Sequence, residues 1–132
     1  MATSDECYGQ AAIRHYDDAE YLASQNRFDG AGHFIGFAAE CAIKHAVESV
    51  RPSAAAPYLH LPELIDAAKK NFRGHRHKHL LVLLQMTSYF AGWTVRARYF
   101  ADGAVGQVQY EQWRQHAQRT FAATGLSRAR HV

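Results

Sequence analysis

The stretch 31–50 constrains this chain more than any other. Phe34, Ile35, Phe37, Ala38, Ala39, Cys41, Ala42, Ile43, Ala46 and Val47 crowd into it at one-, three- and four-residue steps, without the strict alternation of a strand. The predicted element is a helix, and these residues cover more than one of its faces. A helix that is apolar nearly all round is central in its bundle or shared with a partner chain. Gly32, Gly36, Ala39 and Ala42 are small enough to let another backbone approach. Glu40 and Lys44, spaced i, i+4 in the favourable order, are expected to pair on one side.

Shorter helices are predicted around this one. Thr3 and Glu6 fit a capping box, so a first helix is expected from near Ser4, with Tyr8, Ala12, His15/Tyr16, Ala19 and Leu22 as its apolar stripe and Asp17, Asp18 and Glu20 on its wet side. The glycines and Asp between Asn26 and Gly32 read as a turn. Pro52 and Pro57 bracket a loop. Pro62 and Glu63 suit the first turn of a third helix, carrying Leu61, Leu64, Ile65 and Ala68 and ending by Gly74. A fourth is predicted over 77–90 (Leu80, Leu81, Leu83, Leu84, Met86), interrupted by Gly92; 93–100 reads equally as helix or extended chain. Asp102-Gly103 turns into a last helix over 106–124, with Tyr110, Trp113, Ala117 and Phe121 inward and Gly125 as C-terminal cap. The expected fold is all-α: an up-and-down bundle of four main helices plus a shorter fifth, one domain over 1–126 with a short basic tail at 127–132.

At 132 residues and 48% apolar, the chain suits one domain and not a disordered segment. No run reaches the roughly 18–20 apolar residues of a membrane span, and Asp5 and Glu6 stand where a secretory signal would be basic. Cys7 and Cys41 give no disulfide framework, so a cytoplasmic setting without membrane contact is expected. The formal charge of +3 conceals a polarity. Residues 1–50 carry three Lys/Arg against eight Asp/Glu, and residues 51–132 carry twelve against four, so any polyanion is expected on the second half.

Two stretches there could carry chemistry. Arg73-Gly74-His75-Arg76-His77-Lys78-His79 reads as a solvated loop feeding a helix, as a phosphate contact, or as a metal site built on His75, His77 and His79. In Trp93-Thr94-Val95-Arg96-Ala97-Arg98-Tyr99, two arginines stand among rings, as in surfaces that hold phosphates and stack bases; Trp93 itself reads as core. Arg76, Lys78, Arg96, Arg98 and Tyr99 are thus the candidate nucleic-acid contacts. No serine sits in a nucleophile elbow, no glycine loop cradles a phosphate, and no cofactor is expected.

Three segments resemble the HEPN family of small all-α domains. Arg14-His15-Tyr16-Asp17-Asp18-Ala19-Glu20-Tyr21-Leu22 has the style of the family's first helix. Gly32 to Lys44, with small residues around an E-x-x-x-K, is similar to its second, and His60-Leu61-Pro62-Glu63-Leu64 to the opening of its third. The resemblance implies a bundle that forms a homodimer and is often encoded beside a minimal nucleotidyltransferase in toxin–antitoxin or defence systems. Active members resemble metal-independent ribonucleases with an Arg, four to six residues, then a His; such a His takes the 2′-hydroxyl proton while the Arg holds the phosphate. Arg27…His33 and Arg73…His79 have that spacing, whereas the late Arg96 and Arg98 have no His so placed. The expectation is a HEPN-like module that binds RNA, nucleotide or a partner protein without the ribonuclease motif. The alternative is a ribonuclease whose catalytic residues are Arg73 and His79. His33 and His60, inside family-like helix signatures, are assigned structural roles.

Overall fold

The computed structural model describes residues 7–51, 59–72 and 77–128, and every regular element among them is helical. In chain order these are α1 (Tyr8–Ser24), α2 (Phe28–Val50), α3 (Glu63–Lys69), α4 (Lys78–Leu84), a 3₁₀ helix (Val95–Tyr99) and α5 (Gln107–Thr124). The all-α expectation holds. The Thr3–Glu6 capping box and the Pro52–Pro57 loop lie outside the described residues.

As its pattern predicts, α2 is central, packing most extensively on α1 and α5. Ala31, Ile35, Ala38, Ala39, Ala42, Ile43 and Ala46 are wholly buried. The stripe of α1 meets it through Ala12, Tyr16 and Ala19, and the Tyr16 ring packs on Phe121 of α5 at 5.1 Å.

The turn before α2 is shorter than its glycines suggest. Asn26, left-handed at φ 59°, reverses the chain, and α2 begins at Phe28, so Gly30 and Gly32 lie inside the helix. Their physical role is clearance rather than turning. At Gly32 a Cβ would stand 3.0 Å from both Trp113 and Val105, and at Gly36 it would fall within the Trp93 indole. Side chains, not a second backbone, therefore approach α2 here. The Trp93 Nε1–H donates to the Gly32 carbonyl at 2.8 Å. Asp29 is likewise not a turn residue: its carboxylate accepts from the Gly103 and Val105 N–H groups, each at 2.8 Å, and holds the loop before α5.

The predicted fourth helix stops early. Leu80, Leu83 and Leu84 are buried, but Phe90 takes φ 49° and Gly92 φ 84°, so helix does not extend over 85–92. An aromatic residue in the left-handed region is costly, by roughly 1–3 kcal/mol. Here α5 supplies the compensation: Phe90 N–H donates to His116 Nδ1 (3.1 Å), Trp113 Nε1–H to the Ala91 carbonyl (3.0 Å), and Tyr89 and Thr120 share a buried hydroxyl bond of 2.6 Å. The last helix ends as expected at Gly125, φ 80°. Glu20, predicted on the wet side of α1, ties α1 to α5 by accepting from Tyr110 Oη–H (2.6 Å) and Arg114 Nε–H (2.8 Å). At the start of the predicted tail, Arg128 reaches Asp17 at 2.7 Å and lies over the Tyr16 ring.

Gly36→Ala is expected to cost about 2 kcal/mol or more, because displacing packed rings outweighs the roughly 1 kcal/mol that alanine gains over glycine in a helix. Gly30→Ala meets only the mobile end of Leu22, at 3.1 Å, and is expected to be neutral or mildly stabilising. Urea unfolding followed by tryptophan fluorescence compares the two; equal midpoints would contradict the seating of Trp93 on Gly36.

Candidate functional site

Among the apolar residues of α2 stands a carboxylate, Glu40, only 3% exposed. A buried charge requires partners, and Glu40 has two beyond its own helix. The Leu61 N–H donates to Oε1 at 2.8 Å, and His60 Nδ1 lies 3.2 and 3.1 Å from Oε1 and Oε2. The predicted pairing with Lys44 is thus replaced by a longer-range one, and the Lys44 ammonium lies instead over the Tyr8 ring. Burial pushes the Glu40 carboxyl up; the His60 hydrogen bond, the Leu61 N–H and the charges of His60 and Lys44 pull it back. The His60 side chain is 46% exposed. With Nδ1 committed to Glu40, Nε2 is the nitrogen presented to a ligand.

Beside His60 lies a shelf of rings centred on Phe37, whose centroid is 4.6 Å from His33, 5.6 Å from Trp93, 5.8 Å from His15 and 6.1 Å from His60. His33 also stacks on Trp93 at 5.8 Å with 20° between the ring planes, and His15 stacks on Phe34 at 5.7 Å and 19°. Burial lowers the His33 pKa, and the charges of Arg98 and His60 lower it further. The Nδ1 atoms of His15 and His33 are buried without a hydrogen-bond partner among the described residues.

The stretch that reads equally as helix or extended chain is a 3₁₀ helix, capped where the Thr94 hydroxyl accepts from Arg96 N–H at 3.2 Å. Trp93 is buried, as expected, while Arg96, Arg98 and Tyr99 are exposed, Tyr99 by 80%. The Arg98 guanidinium lies over the Tyr99 ring at 5.4 Å. None of the ion pairs among the described residues engages Arg96 or Arg98.

The other predicted cluster divides. Arg73, His75 and Arg76 lie outside the described residues. His77 turns inward, its Nε2 2.9 Å from Ser49 Oγ and its ring edge-on to Phe72. Lys78 and His79 open α4 and are exposed; His79 lines a mostly apolar groove of about 470 Å³ that also holds Val82, Met86 and Arg119. No three His, Cys, Asp or Glu side chains among the described residues are grouped to hold a metal ion. Burial pushes the Cys41 thiol up to about 11, so it stays protonated near neutrality.

Sequence reasoning placed functional weight on 73–79 and 93–99 and missed Glu40 with His60. The available signal was a carboxylate on a helix apolar nearly all round, which demands a partner from elsewhere in the chain. No protein-family model matches the chain, and no curated protein or solved structure matches it.

Burial lowers the pKa of His15, His33 and His116. Below the ordinary imidazole value of about 6.5 the unfolded chain therefore binds more protons than the folded one, and stability drops as pH is lowered through that window. Glu40 acts oppositely: its raised pKa favours the protonated fold, a contribution lost as pH climbs through the folded value. With three imidazoles against one carboxyl, the urea midpoint is expected to fall between pH 7 and pH 5.5, and His33→Gln to flatten that fall. A wild-type midpoint that stays level or rises would contradict this balance.

Proposed function

We propose that the protein is a HEPN-like module that binds RNA through the 3₁₀ turn and the ring shelf beside it. The observation that carries this reading is the exposed Tyr99 ring with the Arg98 guanidinium over it at 5.4 Å, on the turn that also exposes Arg96. Guanidinium groups without acidic partners suit phosphates, and ring faces suit unstacked bases. Arg96 adds a second cation on the same turn, and both belong to the basic half of the chain. On this reading the module forms a homodimer and works beside a nucleotidyltransferase-type partner in a toxin–antitoxin or defence setting, as the family resemblance implies. A second reading, a metal-independent ribonuclease acting through Arg73 and His79, has in its favour that His79 is exposed on a groove beside Arg119.

Fluorescence anisotropy with a labelled single-stranded RNA tests the first reading. Replacing Arg96 and Arg98 together by Ala is expected to weaken binding about tenfold or more and to reduce the slope of log K against log salt by about one to two. Tyr99→Ala is expected to cost about 1–3 kcal/mol with little change in that slope, as lost stacking does. Unchanged affinity in the double variant would overturn the proposed face. Loss of RNA cleavage specifically in Arg73→Ala and His79→Ala would favour the second reading.

A further inference from the structure

We propose that the groove between α4 and α5 is a docking site for an acidic amphipathic helix of a partner protein. The groove shares no residue with the 3₁₀ turn, so its role does not depend on the RNA-binding reading. It arises because α4 holds more apolar side chains than the core takes. Leu80, Leu83 and Leu84 are buried, but the run 80–84 is apolar throughout, and Val82 is left 56% exposed. His79, Val82 and Leu83 stand at i, i+3 and i+4 and so share one side of α4. Met86 continues that row, its N–H donating to the Leu83 carbonyl at 3.1 Å. Facing it, α5 presents Arg119, Ala122 and Ala123 at the same spacing. Because the two alanines are small, a cavity of about 470 Å³ stays open between the two helical rows.

Shape and charge together select the occupant. Parallel rows of side chains at helical spacing receive the ridge of a third helix, as in helix-in-groove recognition. The floor of Leu83, Met86 and Ala123 suits hydrocarbon rather than a phosphodiester backbone, and a methionine re-packs around anchors of different shape. His79, Val82, Arg119 and Ala122 are exposed along the groove, so a small molecule lying there would stay largely wet. Arg119 enters none of the ion pairs among the described residues, and the described residues lining the groove include no carboxylate. A helix with Glu or Asp beside its apolar row supplies that missing charge, and the His79 imidazole offers it a further polar contact. A second copy packed here about a two-fold axis would instead set one acid-free cationic groove against another, which like charges disfavour.

The test uses the full ¹⁵N-labelled chain and a helix-stabilised peptide of about four turns. The peptide carries leucines at i, i+4 and i+7 flanked by glutamates; a control peptide has lysines in place of the glutamates. The glutamate peptide is expected to shift amide resonances of α4 and of the second half of α5 and to leave those of the 3₁₀ turn in place. The lysine peptide is expected to bind at least about tenfold more weakly, and Arg119→Glu to reverse the preference between the two. Ala122→Leu, at an exposed helical position, is expected to keep its helical circular dichroism and urea midpoint while losing about tenfold in affinity, because it fills the groove. Groove amides unmoved by the glutamate peptide at millimolar concentration, equal affinity for both peptides, or an unchanged preference in Arg119→Glu would each overturn the proposal. So would groove shifts that follow dilution of the free protein, which assign the surface to a second copy, or shifts produced by single-stranded RNA in place of the peptide. The RNA-binding face on the 3₁₀ turn stands or falls separately, on its own variants.

Discussion

The seating of the Trp93 indole on α2 determines where the other elements can go. A tryptophan can lie against a helix only where the helix has no side chain beneath it, and Gly36 provides that gap one turn along from the Gly32 carbonyl that takes the indole N–H. The contact fixes the start of the 3₁₀ turn against α2. It also forms one wall of the ring shelf around Phe37. Packing and hydrogen bonding act together here: the ring contributes buried area and its polar atom is satisfied in the same pose.

The polarity of the chain acquires a structural meaning. The acidic first half is clipped to the second: Glu20 to Tyr110 and Arg114, Asp17 to Arg128, Asp29 to the backbone of Gly103 and Val105, and Glu40 to His60 and Leu61. Four acidic side chains of the first half thus hold α1 and α2 against later elements, while among the described residues Arg114 and Arg128 are the second-half cations that pair with them.

How far the sequence discloses this fold depends on the range of the interaction concerned. The stripes of α1, α2 and α5 were legible because they follow from helical period alone. The length of α4 was not, since its leucines continue a helical pattern while α5 draws the Phe90 N–H away to His116. Gly30 and Gly32 carry the signal of a turn, yet serve as clearance for side chains far along the chain. Glu40 shows the same limit at the candidate site: the i, i+4 rule names Lys44, but burial selects His60, twenty residues away. Tyr99 and the arginines beside it were legible as a ringed cationic stretch, because exposure on a short turn asks little of tertiary structure.

The buried Glu40 has a consequence for how this domain could be improved or degraded as a scaffold. Exchanging a buried polar pair for apolar side chains of matching volume is often neutral or stabilising. A library selected for thermal resistance alone would thus tend to fill this spot with hydrocarbon, and the resulting proteins would lose the polar clip that ties α2 to the chain entering α3.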